Sequence, residues 1–105
     1  MQYIRHGDVV LQKVDSIPSD AVPMEHNGQI ILAEGEVTGH MHRLTASKDA
    51  LKGFTKDGTI FFSLTIPAPL THEEHKTIEV PSGVWRRVFE REWDYAQNDM
   101  RKVQD

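Results

Sequence analysis

Phe54-Thr55-Lys56-Asp57-Gly58-Thr59-Ile60-Phe61 is the stretch on which the fold turns. Asp-Gly between β-forming residues supplies the positive φ angles of a type I′ turn, so two antiparallel strands meet here. Downstream, Ile60, Phe62, Leu64 and Ile66 alternate with Thr59, Phe61, Ser63 and Thr65, which gives one apolar face and predicts a central strand. Ile66-Pro67-Ala68-Pro69 should end it, because neither proline carries a backbone N–H for a ladder. Leu70 to Lys76 then reads as a connection and Thr77 to Val80 as the returning strand.

Working outward, Asp8 to Val14 is a β-branched run closed by Asp15-Ser16-Ile17-Pro18, and Ser19 to Asn27, holding Pro23, reads as a long loop. Gln29 to Ala33 is a short buried strand. Gly35-Glu36-Val37-Thr38-Gly39 suggests a bend, and His40 to Thr45 can continue as a strand. Ala46 to Lys52 has helical composition but too few residues for more than two turns. Pro81-Ser82-Gly83 turns the chain into Val84 to Tyr95, where aromatic and β-branched composition favours a strand over a helix. Ala96 to Asp105 is polar, with Met100 and Val103 as anchors for a short terminal helix. Many short strands, hairpin chemistry and no strand–helix alternation predict an all-β chain. The expected fold is a small antiparallel β-barrel or sandwich, one domain over residues 1–105, with at most one or two short helices.

Composition narrows the function classes. With 105 residues the chain has room for one core. A 38% hydrophobic and 27% charged balance is that of a folded protein rather than a disordered one. A net charge of −4 makes nonspecific nucleic-acid binding an unfavourable reading. The absence of Cys removes disulfides, thiolate metal sites and Cys nucleophiles together. No apolar run approaches the ~18 residues of a membrane span and the first residues lack an apolar leader core, so a cytoplasmic, non-membrane protein is expected.

Four of the six histidines form two tight pairs, His40-Met41-His42 and His72-Glu73-Glu74-His75. On a strand, residues i and i+2 share a face, which suits His40 and His42 to one metal ion. His72 and His75, three apart in a connection, can converge on an ion as well, and imidazole suits Zn, Fe, Cu or Ni. The spacing is not the His-Glu-x-x-His of a zinc-protease helix. A site of His40, His42, His72 and His75 could activate water, with Glu73 as the orienting or proton-shuttling carboxylate and Glu74 solvated. Either pair alone also reads as a solvated polar patch. His6 and His26 read as structural, and Arg86, Arg87 and Arg91 leave open a phosphate-binding face.

Gly39-His40-Met41-His42 followed by Pro81-Ser82-Gly83 resembles the cupin superfamily, small β-barrels with a His-x-His and a Pro-x-Gly motif. That resemblance implies a metal held inside a barrel by His40 and His42, although Arg86 stands where the second motif places its histidine. Gly7-Asp8-Val9-Val10, Ile30-Ile31-Leu32 and Gly35-Glu36-Val37 resemble the GroES-type cochaperonins, which implies an oligomeric assembly role. The order Gly-Glu-x-x-Gly-His-x-His, then His-Glu-Glu-His, is similar to uncharacterised bacterial and phage proteins and implies no function. The leading expectation is a cupin-like domain with a divalent-metal site (Zn, Fe, Mn or Ni) that acts on or binds a small oxygen-rich molecule. The rivals are an anion- or nucleotide-binding module and a structural homo-oligomer.

Overall fold

The computed structural model describes residues 2–34 and 39–89, together with 93–94 and 99–100. Its strands in chain order are β1 (Tyr3–His6), β2 (Val9–Lys13), β3 (Val22–Met24), β4 (Gln29–Glu34), β5 (Met41–Thr45), β6 (Leu51–Lys56), β7 (Thr59–Leu64), β8 (Ala68–Thr71), β9 (Ile78–Val80) and β10 (Gly83–Phe89). Two short segments, β11 (Trp93–Asp94) and β12 (Asp99–Met100), pair with each other. No helix occurs among the described residues, and so none long and apolar enough to cross a membrane.

The other ten strands form two antiparallel sheets. One has the order β1-β2-β10-β7-β6-β3 and the other β4-β5-β8-β9. The Asp57-Gly58 turn joins β6 to β7 with both residues at positive φ, 51° and 79°, which is the type I′ geometry its sequence calls for. A second two-residue turn, Gly7-Asp8, joins β1 to β2 with positive φ at Gly7 alone, the type II′ pattern.

The two sheets bury one shared core. Val9, Leu11, Leu51, Phe62, Leu64 and Trp85 come from the first, and Ile30, Leu32, Leu44, Ala68, Leu70 and Val80 from the second. Each fully buried Val, Leu, Ile or Phe among them gains about 1.5–3 kcal/mol by leaving water, so this apolar layer is the main favourable contribution to folding. Trp85 is fully buried and satisfies its one donor on the Pro81 carbonyl, 2.9 Å away. Alternation along β5 puts His42 on the same inward face as Leu44, at the end of the layer.

Several expectations are corrected. Ala46 to Lys52 is not helical: the Ala46 N–H donates to the Gly28 carbonyl at 2.8 Å, and Leu51, 1% exposed, already lies in β6 opposite Leu64. Seven residues cannot supply enough helical hydrogen bonds to compete with that pairing. The long loop over Ser19 to Asn27 contains β3, which pairs along β6 at the sheet edge, where a proline is tolerated. The central strand does stop before the prolines, at Leu64, but the connection expected from Leu70 to Lys76 starts later, because Ala68–Thr71 form β8, in which Pro69 is registered opposite Glu79 of β9 and the ladder to β5 covers only Leu70 and Thr71. The strand expected over Val84 to Tyr95 is β10 as far as Phe89 and β11 at Trp93–Asp94, while residues 90–92 and 95 lie outside the described residues. The terminal helix over Ala96 to Asp105 lies outside the described residues apart from Asp99–Met100, which are extended, and the glycine bend lies outside them at 35–38.

Candidate metal centre

Three chain segments meet at one end of the core. The end of β1 brings His6 and the β1–β2 turn Gly7 and Asp8; β5 brings His42; and the loop from β8 to β9 brings His72 and His75. His42, His72 and His75 each present one ring nitrogen within 4.8 Å of the others, one side chain buried, one half-buried and one exposed. A tetrahedral ion with N ligands at ~2.1 Å sets its ligand atoms ~3.4 Å apart, so closure onto an ion asks a small inward movement, and two of the three ligands stand on a loop.

The local sequence explains why the segments can meet. A Cβ on Gly7 would lie 2.7 Å from His75 Nε2 and 3.0 Å from His42 Cε1, so a side chain there would displace the imidazoles, and the φ of +64° favours glycine as well. Opposite β5, the β4 register shifts between Ile31 and Ala33, a bulge that sets Ala33 rather than Leu32 across from His42. Arg87 reaches from the other sheet to donate to the Leu32 carbonyl at 2.6 Å and to the Gly58 carbonyl at 2.9 Å.

His6, which sequence reasoning set aside as structural, is part of the cluster. It is buried, with its ring centroid 5.0 Å from that of His42 and 5.6 Å from that of His75. Its Nε2 lies 2.9 Å from the Lys76 carbonyl and its Nδ1 2.9 Å from His42 Nδ1. A carbonyl only accepts, so Nε2 of His6 carries the proton and Nδ1 of the neutral ring accepts. His42 Nδ1 must then donate, which leaves the lone pair of His42 on Nε2. Burial, first, and the neighbouring His72 and His6 push the His42 pKa down to about 4, with Asp8 pulling the other way. Burial also lowers that of His6, against the Lys76 bond, so both rings are neutral at physiological pH.

The remaining candidates divide. His40 precedes β5 rather than lying in it; its ring is 5.7 Å from that of His72, its Nδ1 is 2.8 Å from Glu74 Oε1, and it stands outside the set of three. Glu73 turns to β5, where Oε1 accepts from the Met41 N–H at 2.8 Å and Oε2 from Arg43 Nη1 at 2.6 Å. The Arg43 bond, then that from Met41, holds the Glu73 pKa down at about 2, so it is a fixed anion that pins the histidine loop to β5. The Glu74 N–H donates to His72 Nδ1 at 3.0 Å. His26 accepts from the Gly28 N–H and shapes a turn. Arg86 donates to Gln12 and Arg87 to the carbonyls above, so both serve the fold's own hydrogen bonding; Arg91 lies outside the described residues.

Comparison with known proteins identified one family, described as a domain of unknown function (DUF8820), whose match runs over residues 5–90 and includes every histidine named above. Searches of curated proteins and of solved structures found no match.

Proposed function

The chain belongs to the DUF8820 family, and for this domain we propose a divalent-metal site built from His42, His72 and His75 that binds, or acts on, a small oxygen-bearing molecule. The observation that carries the reading is the convergence of three imidazoles from two separate segments, one of them 2% exposed and preset as a ligand by its bond to His6. Three neutral imidazoles suit Zn, Fe or Ni, and a three-ligand ion retains positions for water or a substrate oxygen, which it polarises. His40 and Glu74 stand at the rim, where they would meet whatever enters. Glu73 contributes by position, holding the loop, rather than by moving protons.

The test is an equilibrium titration of the untagged, chelator-treated chain with Zn²⁺, Fe²⁺, Mn²⁺ and Ni²⁺. The reading expects one ion per chain and its loss in His72→Ala and His75→Ala. Binding that survives both substitutions, or no binding, contradicts it.

A further inference from the structure

The geometry points to Asp8 as a fourth protein ligand to the ion held by His42, His72 and His75, through Oδ1. The inference rests on the three-histidine reading and adds a residue to it. Asp8 is the second residue of the β1–β2 turn, and its Oδ1 lies 3.5 Å from Nε2 of His42. The hydrogen bonds of His6 leave a lone pair, not a proton, on that nitrogen. A carboxylate oxygen and an imidazole lone pair facing each other without a proton between them repel, and an ion between them reverses the sign.

The separation fits. Nitrogen and oxygen ligands at ~2.0–2.2 Å around a tetrahedral ion stand ~3.4 Å apart, close to what Asp8 and His42 already show. No rearrangement of β1 or β2 is needed to form this edge, because the Gly7 turn that carries Asp8 already lies against His42 and His75. Asp8 stands outside the set of ligand atoms that lie within 4.8 Å of one another, so it reaches His72 and His75 through an ion only by turning its side chain, which at 71% exposure loses little packing in doing so. With Asp8 bound, a tetrahedral ion is enclosed by protein, and a small oxygen donor enters by displacing Asp8 or by raising the coordination number. A mixed set of three imidazoles and one carboxylate also extends the fit towards Mn, which prefers oxygen.

The experiment is Zn²⁺ and Co²⁺ titration of the full chain and of its Asp8→Ala and Asp8→Asn variants, with the visible spectrum of the Co²⁺ form recorded for each. Loss of an outer partner of a ligand commonly weakens metal binding 10–100-fold, and loss of a ligand should weaken it at least ~10-fold. The expected result is that loss in Asp8→Ala, with a changed Co²⁺ band shape as water replaces the carboxylate. Equal affinity in variant and parent, or weaker binding with an unchanged band shape, overturns Asp8 as a ligand while leaving the three histidines intact. A parent chain that takes up no ion overturns both.

Discussion

A Cβ on Gly7 would sit 2.7 Å from Nε2 of His75, so a side chain at residue 7 would push the His75 ring away from the β1–β2 turn. Gly7 also holds φ +64°, a conformation that costs other residues about 1–3 kcal/mol. Gly7→Ala should therefore lower stability by at least ~1 kcal/mol in a denaturant titration and weaken metal binding together.

Gly58 separates those two effects. It has a similar φ of +79°, yet a Cβ there would meet nothing within 4 Å, and it lies in the β6–β7 turn. Gly58→Val should cost about 1–3 kcal/mol of stability, read by denaturant titration, and leave metal affinity unchanged.

Much of this was legible in local sequence. The Asp57-Gly58 hairpin needs only its own two residues, and the His72 and His75 pair announces itself by spacing. His6 did not, because its role depends on a partner 36 residues away and on a carbonyl at Lys76, neither of which its Arg5-His6-Gly7 neighbourhood encodes. His40 looked equivalent to His42, but β5 begins at Met41, so the alternation that buries His42 does not extend to His40. Ala46 to Lys52 misled because its helical composition is overridden by the ladder partner of Leu51 and by Gly28. The helix propensity involved is a few tenths of a kcal/mol per residue, less than burying Leu51.

His6 should act as a positioning residue through the tautomer of His42. In His6→Asn the side-chain oxygen can still accept from His42 Nδ1, whereas in His6→Leu nothing accepts. Metal affinity should fall ~10–100-fold in His6→Leu and recover in part in His6→Asn. Equal losses in the two, measured by Zn²⁺ competition with a chromophoric chelator, would assign His6 to packing alone.

Acid should destabilise the metal-free fold through the buried histidines. His42 falls to about 4 in the folded chain and His6 is lowered too, while both return to ~6.5 when unfolded. Between those values the unfolded chain binds more protons, so this contribution is fully present above pH ~6.5 and is lost as pH falls towards 4. Thermal unfolding in the presence of chelator should show Tm dropping over that window, and the drop should shrink in His42→Gln.

Ion binding should open the bond from the Glu74 N–H to His72 Nδ1. That bond occupies the Nδ1 lone pair, and Nε2 gains one only when the proton moves to Nδ1. Either route to ligation ends the bond. The Glu74 amide should shift and exchange faster on adding Zn²⁺, and an unmoved Glu74 amide would exclude His72 as a ligand.

The most direct test of the metal centre is the ¹⁵N spectrum of the imidazoles, recorded by long-range proton correlation with and without one equivalent of Zn²⁺. The account predicts large shifts at one ring nitrogen each of His42, His72 and His75, at Nε2 in His42, with His26 unmoved. Zn²⁺ that leaves these three rings unchanged, or that shifts only His26 or His40, would contradict it.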